Sequence, residues 1–330
     1  MSKPYFTEIP LIDIAALRSG RANGVDDIAA RIVEACETAG FFYVTGHGVS
    51  DATVAGIFAA AGWFFAAPQA VRDALDVKTS PNFRGYVPIG LVGPGKPRRM
   101  LEAFQMMLDL PPDDPDAAAG SIMHGPNRWP EAAPAFRAAM EAYFAAMMEL
   151  MRLLLFAFAR GLELPDDFFV AHFRKPLTQL RLLHYPPQPP DSGAEGVEAH
   201  TDTGAFTTLL QDDVGGLEVR TRAGLWIAAQ PIAGSLVINI GDMMQRWTDG
   251  RFVSTPHRVG NRTGRDRISV PFFANPDYDA VVEPLTEGGR AARTSYTAAR
   301  VRPLCRGRLP RRVAARGTEA ISARRGHCFN

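Results

Sequence analysis

Apolar and polar positions follow three textures along this chain, and each predicts its own structure. Up to about residue 110, short apolar runs are interleaved with amphipathic stretches. IPLIDI (9–14) and FFYVTG (41–46) read as strands. Between them Val25, Ile28, Ile32, Val33 and Cys36 recur at helical spacing, with Gly40 as the stop signal. Ser50 is placed to cap a second helix running to Phe65. From Pro130 to Gly161 apolar residues fall on nearly every turn and leave no solvent-facing stripe, which predicts a long helix packed against a sheet. Its most apolar part, Ala142 to Ala159, is broken by Glu149 and Arg152, so it reads as a buried helix and not a membrane span.

From about 178 to 283 the period shortens. TQLRLLHY, AFTTLL, LEVR, LWIAA, SLVINI, RFVSTPHRV and RISVPFFA are β-rich runs separated by turn signals, with Gly215-Gly216 and Asp249-Gly250 as hairpin-type dipeptides. Strands at this spacing predict a sandwich, jelly roll or barrel. Helices first and strands later give an α+β fold whose sheet encloses a site.

Composition adds a boundary that the pattern alone does not show. The 330 residues carry 36 Lys+Arg and 35 Asp+Glu, a net charge of +1. Residues 286–330 hold eleven Arg, no Lys and two Glu, which is +9, leaving −8 on residues 1–285. The reading therefore has three parts: 1–110, a 111–285 region of helical support and strands, and an Arg-rich tail, 286–330. Arg, Ala and Gly supply 24 of the 45 tail residues with little amphipathic period, as in a GC-rich coding sequence read out of frame. A frameshifted tail is the expectation. One cysteine in the body, Cys36, excludes a disulfide framework, and MSKPYFTEIP has no apolar signal segment, so a cytoplasmic protein is expected. The acidic body and the absence of a nucleic-acid motif argue against nucleic acid as a partner, despite the basic tail.

The chemistry concentrates in the third texture. His200 and Asp202 in GVEAHTDTG stand two apart, so on a strand they project from one face. His257 in STPHRV follows several strands later and could join them in a rolled sheet. Two His and one carboxylate are the facial set of non-haem Fe(II) oxygenases, although a His-x-Asp pair also arises by chance. In RISVPFF, Arg267 and Ser269 share a face while Ile268, Val270 and Phe272 fill the other. A guanidinium on the inner face of an apolar strand needs an anion, either a ligand carboxylate or a structural acid. Upstream, Arg181, Leu183 and Tyr185 share a face opposite Leu180, Leu182 and His184, and the Tyr185 hydroxyl could serve the same anion. His47, His184, Asp242 and the Met pairs 106–107 and 243–244 read as structural.

With these residues in view, the chain resembles the isopenicillin N synthase-like family of Fe(II)/2-oxoglutarate-dependent oxygenases. The resemblance runs over about residues 8–285, through IPLIDI…IVEACETAGFFYVTGHGVS, GPNRWP, LRLLHYPPQ…GVEAHTDTGAFTTLLQDDVGGLEV, VINIGDMMQRWTDGRFVSTPHRV and RISVPFFANPD. It implies a double-stranded β-helix, or jelly-roll, core with Fe(II) on His200, Asp202 and His257. It also implies that Arg267 and Ser269, assisted by Tyr185, hold the distal carboxylate of 2-oxoglutarate. Leu183 stands where plant members usually have Asn. The implied activity is O2-dependent oxidation of a small-molecule C–H bond, most simply hydroxylation, with release of succinate and CO2. Phe273, Arg84 and Phe104 are the candidates for the substrate pocket. Two other readings stand beside this one: a 2-oxoglutarate-independent oxidase or cyclase of the same fold, and a catalytically impaired binding protein.

Overall fold

The computed structural model describes residues 6–19, 24–90, 100–131, 133–188, 196–261, 263–285 and 299–300. In chain order the helices are α1 (Ala15–Ser19), α2 (Val25–Thr38), α3 (Asp51–Ala66), α4 (Gln69–Asp73), α5 (Pro115–Ala118), α6 (Pro134–Gly161) and α7 (Asp242–Trp247). The strands are β1 (Leu11–Asp13), β2 (Phe41–Thr45), β3 (Gly85–Val87), β4 (Glu102–Met107), β5 (Gln179–Tyr185), β6 (Val197–His200), β7 (Phe206–Gln211), β8 (Leu217–Arg220), β9 (Trp226–Ala228), β10 (Leu236–Ile240), β11 (His257–Val259) and β12 (Arg267–Ala274). A short pair, β13 (Val281–Val282) with β14 (Ala299–Arg300), follows them. The frameshift expectation for 286–330 otherwise lies outside the described residues.

The strands form two sheets. The larger has the order β1-β2-β10-β7-β12-β5-β4-β3, and the smaller the order β6-β11-β8-β9. From β5 to β12 successive strands switch between the two, apart from the β8–β9 pair, which is the jelly-roll arrangement expected from the motifs. Strands from residues 11–107 extend both edges of the larger sheet, so the N-terminal region and the strand-rich region share one hydrogen-bonded layer.

Strand alternation then sorts the side chains into two cores. On β12, Val270, Phe272 and Ala274 join the apolar layer beneath the helices, as do Leu180 and Leu182 of β5. Tyr185, Leu183, Leu217 and Val259 belong to a second, smaller core between the sheets. In the first core α6 lies across α2, α3 and the sheet, with Phe144 edge-on to Phe272 and Phe158 edge-on to Phe206 at 5.5 and 5.4 Å. Among the described residues α6 is the one helix long and apolar enough to cross a membrane, yet 61% of its apolar window is buried in the protein. Both predicted helix signals are realised. Ser50 accepts the Thr53 amide at 3.1 Å as a cap, and Gly40 leaves α2 with φ 66°.

Three local expectations need correction. Gly215-Gly216 is not a hairpin turn: it carries the chain from β7 in the larger sheet to β8 in the smaller. Its positive φ values, 79° and 91°, serve this crossover, and a Cβ on Gly216 would lie 2.1 Å from the Gly260 carbonyl oxygen. Asp249-Gly250 follows α7 instead of joining two strands, and it too has positive φ at both residues. RFVSTPHRV is strand only from His257: Pro256 has no amide to donate to the ladder, and the Val253 amide bonds to the Cys36 carbonyl of α2 and not to a neighbouring strand. Conversely, β3 and β4 were not expected. EAFQMM is buried on both faces, so it shows no period of two.

Candidate active site

The inner faces of the two sheets converge on a cavity. On the smaller sheet β6 and β11 run antiparallel with His200 directly opposite His257, which brings the rings to 4.2 Å between centroids. Asp202 lies just beyond the end of β6. Its backbone carbonyl accepts the Asp242 amide at 2.7 Å, so a loop and not the strand pleat aims its carboxylate. Asp242 therefore has the structural role expected of it, as does His47, whose Nδ1 accepts the Val49 amide.

Hydrogen bonds behind the three side chains fix which atoms face forward. Nδ1 of His200 lies 2.8 Å from the Glu198 carbonyl oxygen, and Nδ1 of His257 lies 3.2 Å from that of Thr255. A carbonyl only accepts, so each Nδ1 carries a hydrogen and each Nε2 is the nitrogen turned toward the site, able to offer its lone pair to a metal. Asp202 is oriented the same way. Its Oδ2 accepts from Thr207 Oγ1 at 2.5 Å and from Asn239 Nδ2 at 2.7 Å. Its Oδ1 faces the two Nε2 atoms, at 3.6 Å from His200 and 3.8 Å from His257. The three ligand atoms all lie within 4.8 Å of one another.

The electrostatics agree with this geometry. Burial opposes the His257 charge and pushes its pKa down to about 4, leaving a neutral imidazole near pH 7. Burial works against the Asp202 carboxylate, but His257, His200 and Asn239 outweigh it and hold the carboxyl well below its usual range. Two imidazoles and one carboxylate, each held from behind, suit a borderline divalent metal such as Fe(II).

Arg267 and Ser269 lie across the cavity on β12, both on the inner face as the alternation predicts. Arg267 is fully buried: its Nε donates to the Gly215 carbonyl and its Nη1 to Ser269 Oγ at 3.1 Å. Nη2 is buried with no hydrogen-bond partner among the described residues. Tyr185, the backbone partner of Arg267 across the β5–β12 ladder, places its ring 4.7 Å from the guanidinium carbon. The cavity walls include Leu101, Leu183, Leu209 and Phe273 beside these groups.

Two of the three proposed pocket residues are elsewhere. Phe104 sits on the opposite face of β4, packed against Phe64 at 4.9 Å and Phe136 at 5.0 Å in the helix-covered core. Arg84 is buried too, with Nη1 donating to the Asn82 carbonyl and Nη2 to that of Met123 at 2.9 Å, so it braces two loops. Phe273 does line the cavity. Thr207 and Asn239 are the residues that sequence reasoning missed. Asn239 had a signal: it is the polar residue in the buried apolar strand LVINI, the same kind of anomaly that singled out Arg267.

A jelly roll that presents two histidines and a carboxylate beside a buried arginine defines a non-haem Fe(II) oxygenase. Residues 171–276 match the 2OG-Fe(II) oxygenase superfamily, and residues 9–132 match the non-haem dioxygenase in morphine synthesis N-terminal family. The chain is 38% identical over 295 residues to 2-oxoglutarate-dependent dioxygenase citB of Monascus ruber, covering 86% of this chain and 89% of the relative. It is 36% identical to a homoarginine-6-hydroxylase of Oryza sativa subsp. japonica, over 85% and 89% of the two chains. The crystal structure of full-length Neurospora crassa T7H in complex with alpha-KG and thymine superimposes with a TM-score of 0.80 at 26% identity, over 93% of this chain and 96% of that one. The chain belongs to the 2OG-Fe(II) oxygenase superfamily and is a 2-oxoglutarate/Fe(II)-dependent dioxygenase.

Proposed function

We propose that this dioxygenase hydroxylates a C–H bond of a small, largely apolar molecule seated against Phe273. In this reading His200, Asp202 and His257 hold Fe(II). Arg267 and Ser269 hold the distal carboxylate of 2-oxoglutarate, and Tyr185 forms a wall beside it. Fe(II) and O2, with 2-oxoglutarate as co-substrate, supply oxidising power that no amino-acid side chain has. The chain's own residues bind, orient and exclude water.

The observation that carries the proposal is the buried Nη2 of Arg267. An unpaired guanidinium nitrogen in an apolar wall costs stability, and one carboxylate bridging Nη2 and the Ser269 hydroxyl removes that cost. The Tyr185 ring below the guanidinium adds a cation–π contact that keeps it from swinging away. Along the same sheet, Leu101, Leu183 and Leu209 line the cavity with hydrocarbon beside Arg181, and this hydrocarbon suits the non-reacting part of an apolar substrate. The hydroxylase relatives and the thymine complex support a small-molecule substrate.

The test is product formation by the Fe(II)-loaded protein in air with 2-oxoglutarate and a panel of small aromatic and heterocyclic molecules. Substrate-dependent succinate, equimolar with a hydroxylated product, is expected. Substrate-dependent O2 uptake that consumes no 2-oxoglutarate would replace this reading with an oxidase of the same fold.

A further inference from the structure

The outer face of the same strand pair carries a charged network that the proposed function does not use. His184 of β5 points away from the cavity. Its Nδ1 lies 2.8 Å from Glu102 Oε1 on β4, and its Nε2 lies 2.8 Å from Asp266 Oδ1. Glu102 is buried and also accepts from the Tyr86 hydroxyl and from Arg72 Nη1, the latter at 2.6 Å. Phe65 of α3 stacks on the imidazole at 5.0 Å. The charged and titratable groups around the ring are thus Glu102, Asp266, Arg72 and Tyr86.

Two ionised carboxylates can only accept, so the geometry requires a hydrogen on both ring nitrogens and therefore an imidazolium. The position of this cation matters as much as its charge. His184 immediately precedes Tyr185, and Asp266 immediately precedes Arg267. The ladder pairs Arg267 with Tyr185 and Ile268 with His184, and Arg267–Tyr185 is its terminal pair. The His184–Asp266 contact closes the ladder at the end where the 2-oxoglutarate anchor stands. Around that corner Asn261 donates to the Tyr185 and Arg265 carbonyls, and Arg265 pairs with Asp213, but neither of these ties contains a histidine.

We propose that protonated His184, bridging Glu102 and Asp266, is a positioning residue for the 2-oxoglutarate anchor, so that affinity for the co-substrate falls when His184 loses its proton. The inference rests on the reading of Arg267 and Tyr185 given above. Burial alone would discharge the ring, but the carboxylates of Glu102 and Asp266 outweigh it and raise the His184 pKa, so the loss belongs to the alkaline side of its ordinary value. Both carboxylates of 2-oxoglutarate are ionised throughout that range and contribute no pH dependence of their own.

The experiment measures the Kd of 2-oxoglutarate by calorimetry on the Mn(II)-loaded protein from pH 6.5 to 9.5, with KM and kcat of the Fe(II) enzyme alongside. In the wild type, Kd is expected to rise about tenfold across this range, the size of one lost charge-assisted hydrogen bond. In His184→Gln, Kd and KM are expected about tenfold high already at pH 6.5 and flat with pH, while kcat changes less than twofold. The Asp266 side chain is 64% exposed, so Asp266→Asn keeps the fold. It is expected to raise Kd about threefold and move the alkaline rise to lower pH. His184→Gln with wild-type Kd and wild-type pH dependence overturns the inference, as does a fall in kcat with Kd unchanged. If His184→Gln does not fold, an unchanged pH profile in Asp266→Asn overturns it equally. A wild-type enzyme that forms no succinate from 2-oxoglutarate sinks the function itself, and this inference with it.

Discussion

On the outer face of the β5–β12 ladder, His184 has a carboxylate on each ring nitrogen. One residue along and on the inner face, Arg267 is a cation with no carboxylate partner among the described residues, held by a carbonyl and a hydroxyl and keeping one buried nitrogen without a partner among them. The two groups belong to one pair of strands and differ in what they lack. A satisfied charge braces the fold, whereas an unsatisfied buried one marks where a ligand completes the structure. Arg84 sharpens the contrast, because it is as deeply buried as Arg267 but donates both terminal nitrogens to loop carbonyls, leaving only Nε without a partner among the described residues, and does not border the cavity.

The contrast can be broken experimentally. The largest effect is expected inside, at the metal ligands: His200→Ala, Asp202→Ala or His257→Ala should bring succinate formation down to the level of a no-enzyme blank. Arg267→Leu comes next. It should weaken 2-oxoglutarate on the order of a hundredfold, about 2.7 kcal/mol, in a direct binding titration. Because that change also removes an unpaired buried charge, the thermal midpoint of the protein without ligand should not fall; a large drop would place Arg267 with the structural cations. Thr207→Val or Asn239→Ala leaves Asp202 in place but unbraced, and should lower Fe(II) affinity about 10–100-fold in a metal titration.

The outer face should respond to pH. A group whose folded pKa is raised contributes stability that is fully present below its unfolded value and is lost as pH rises through the folded one. The destabilisation of His184→Gln relative to wild type should therefore be greatest near pH 6 and shrink on the alkaline side; a difference that grows with pH contradicts the assignment. Smallest of all, Phe104→Leu should cost about 1 kcal/mol in denaturant unfolding and leave the 2-oxoglutarate KM unchanged, since Phe104 faces the helices.

How legible this was depended on whether local period carried the information. Alternation in RISVPFFA and TQLRLLHY set Arg267 and Ser269, with Arg181, Leu183 and Tyr185, apart from Val270, Phe272, Leu180 and Leu182, because one face of each strand meets the cavity and the other the helix layer. EAFQMM showed no alternation, so Phe104 could not be assigned a face and was placed wrongly. Gly215-Gly216 read as a hairpin dipeptide and does turn with positive φ, but a dipeptide says nothing about which sheet receives the next strand.

By itself the sequence determined the residue types able to bind iron and an anion, the helix caps and the strand faces, since these follow from local period and from the cost of burying a lone charge. The tertiary structure alone decided that His200 stands opposite His257, that Thr207 and Asn239 hold Asp202, and that His184 is bound on both sides while Arg267 is not. Those facts depend on strand register between segments tens of residues apart, where hydrogen-bond partners are set by which chains meet and not by what either contains.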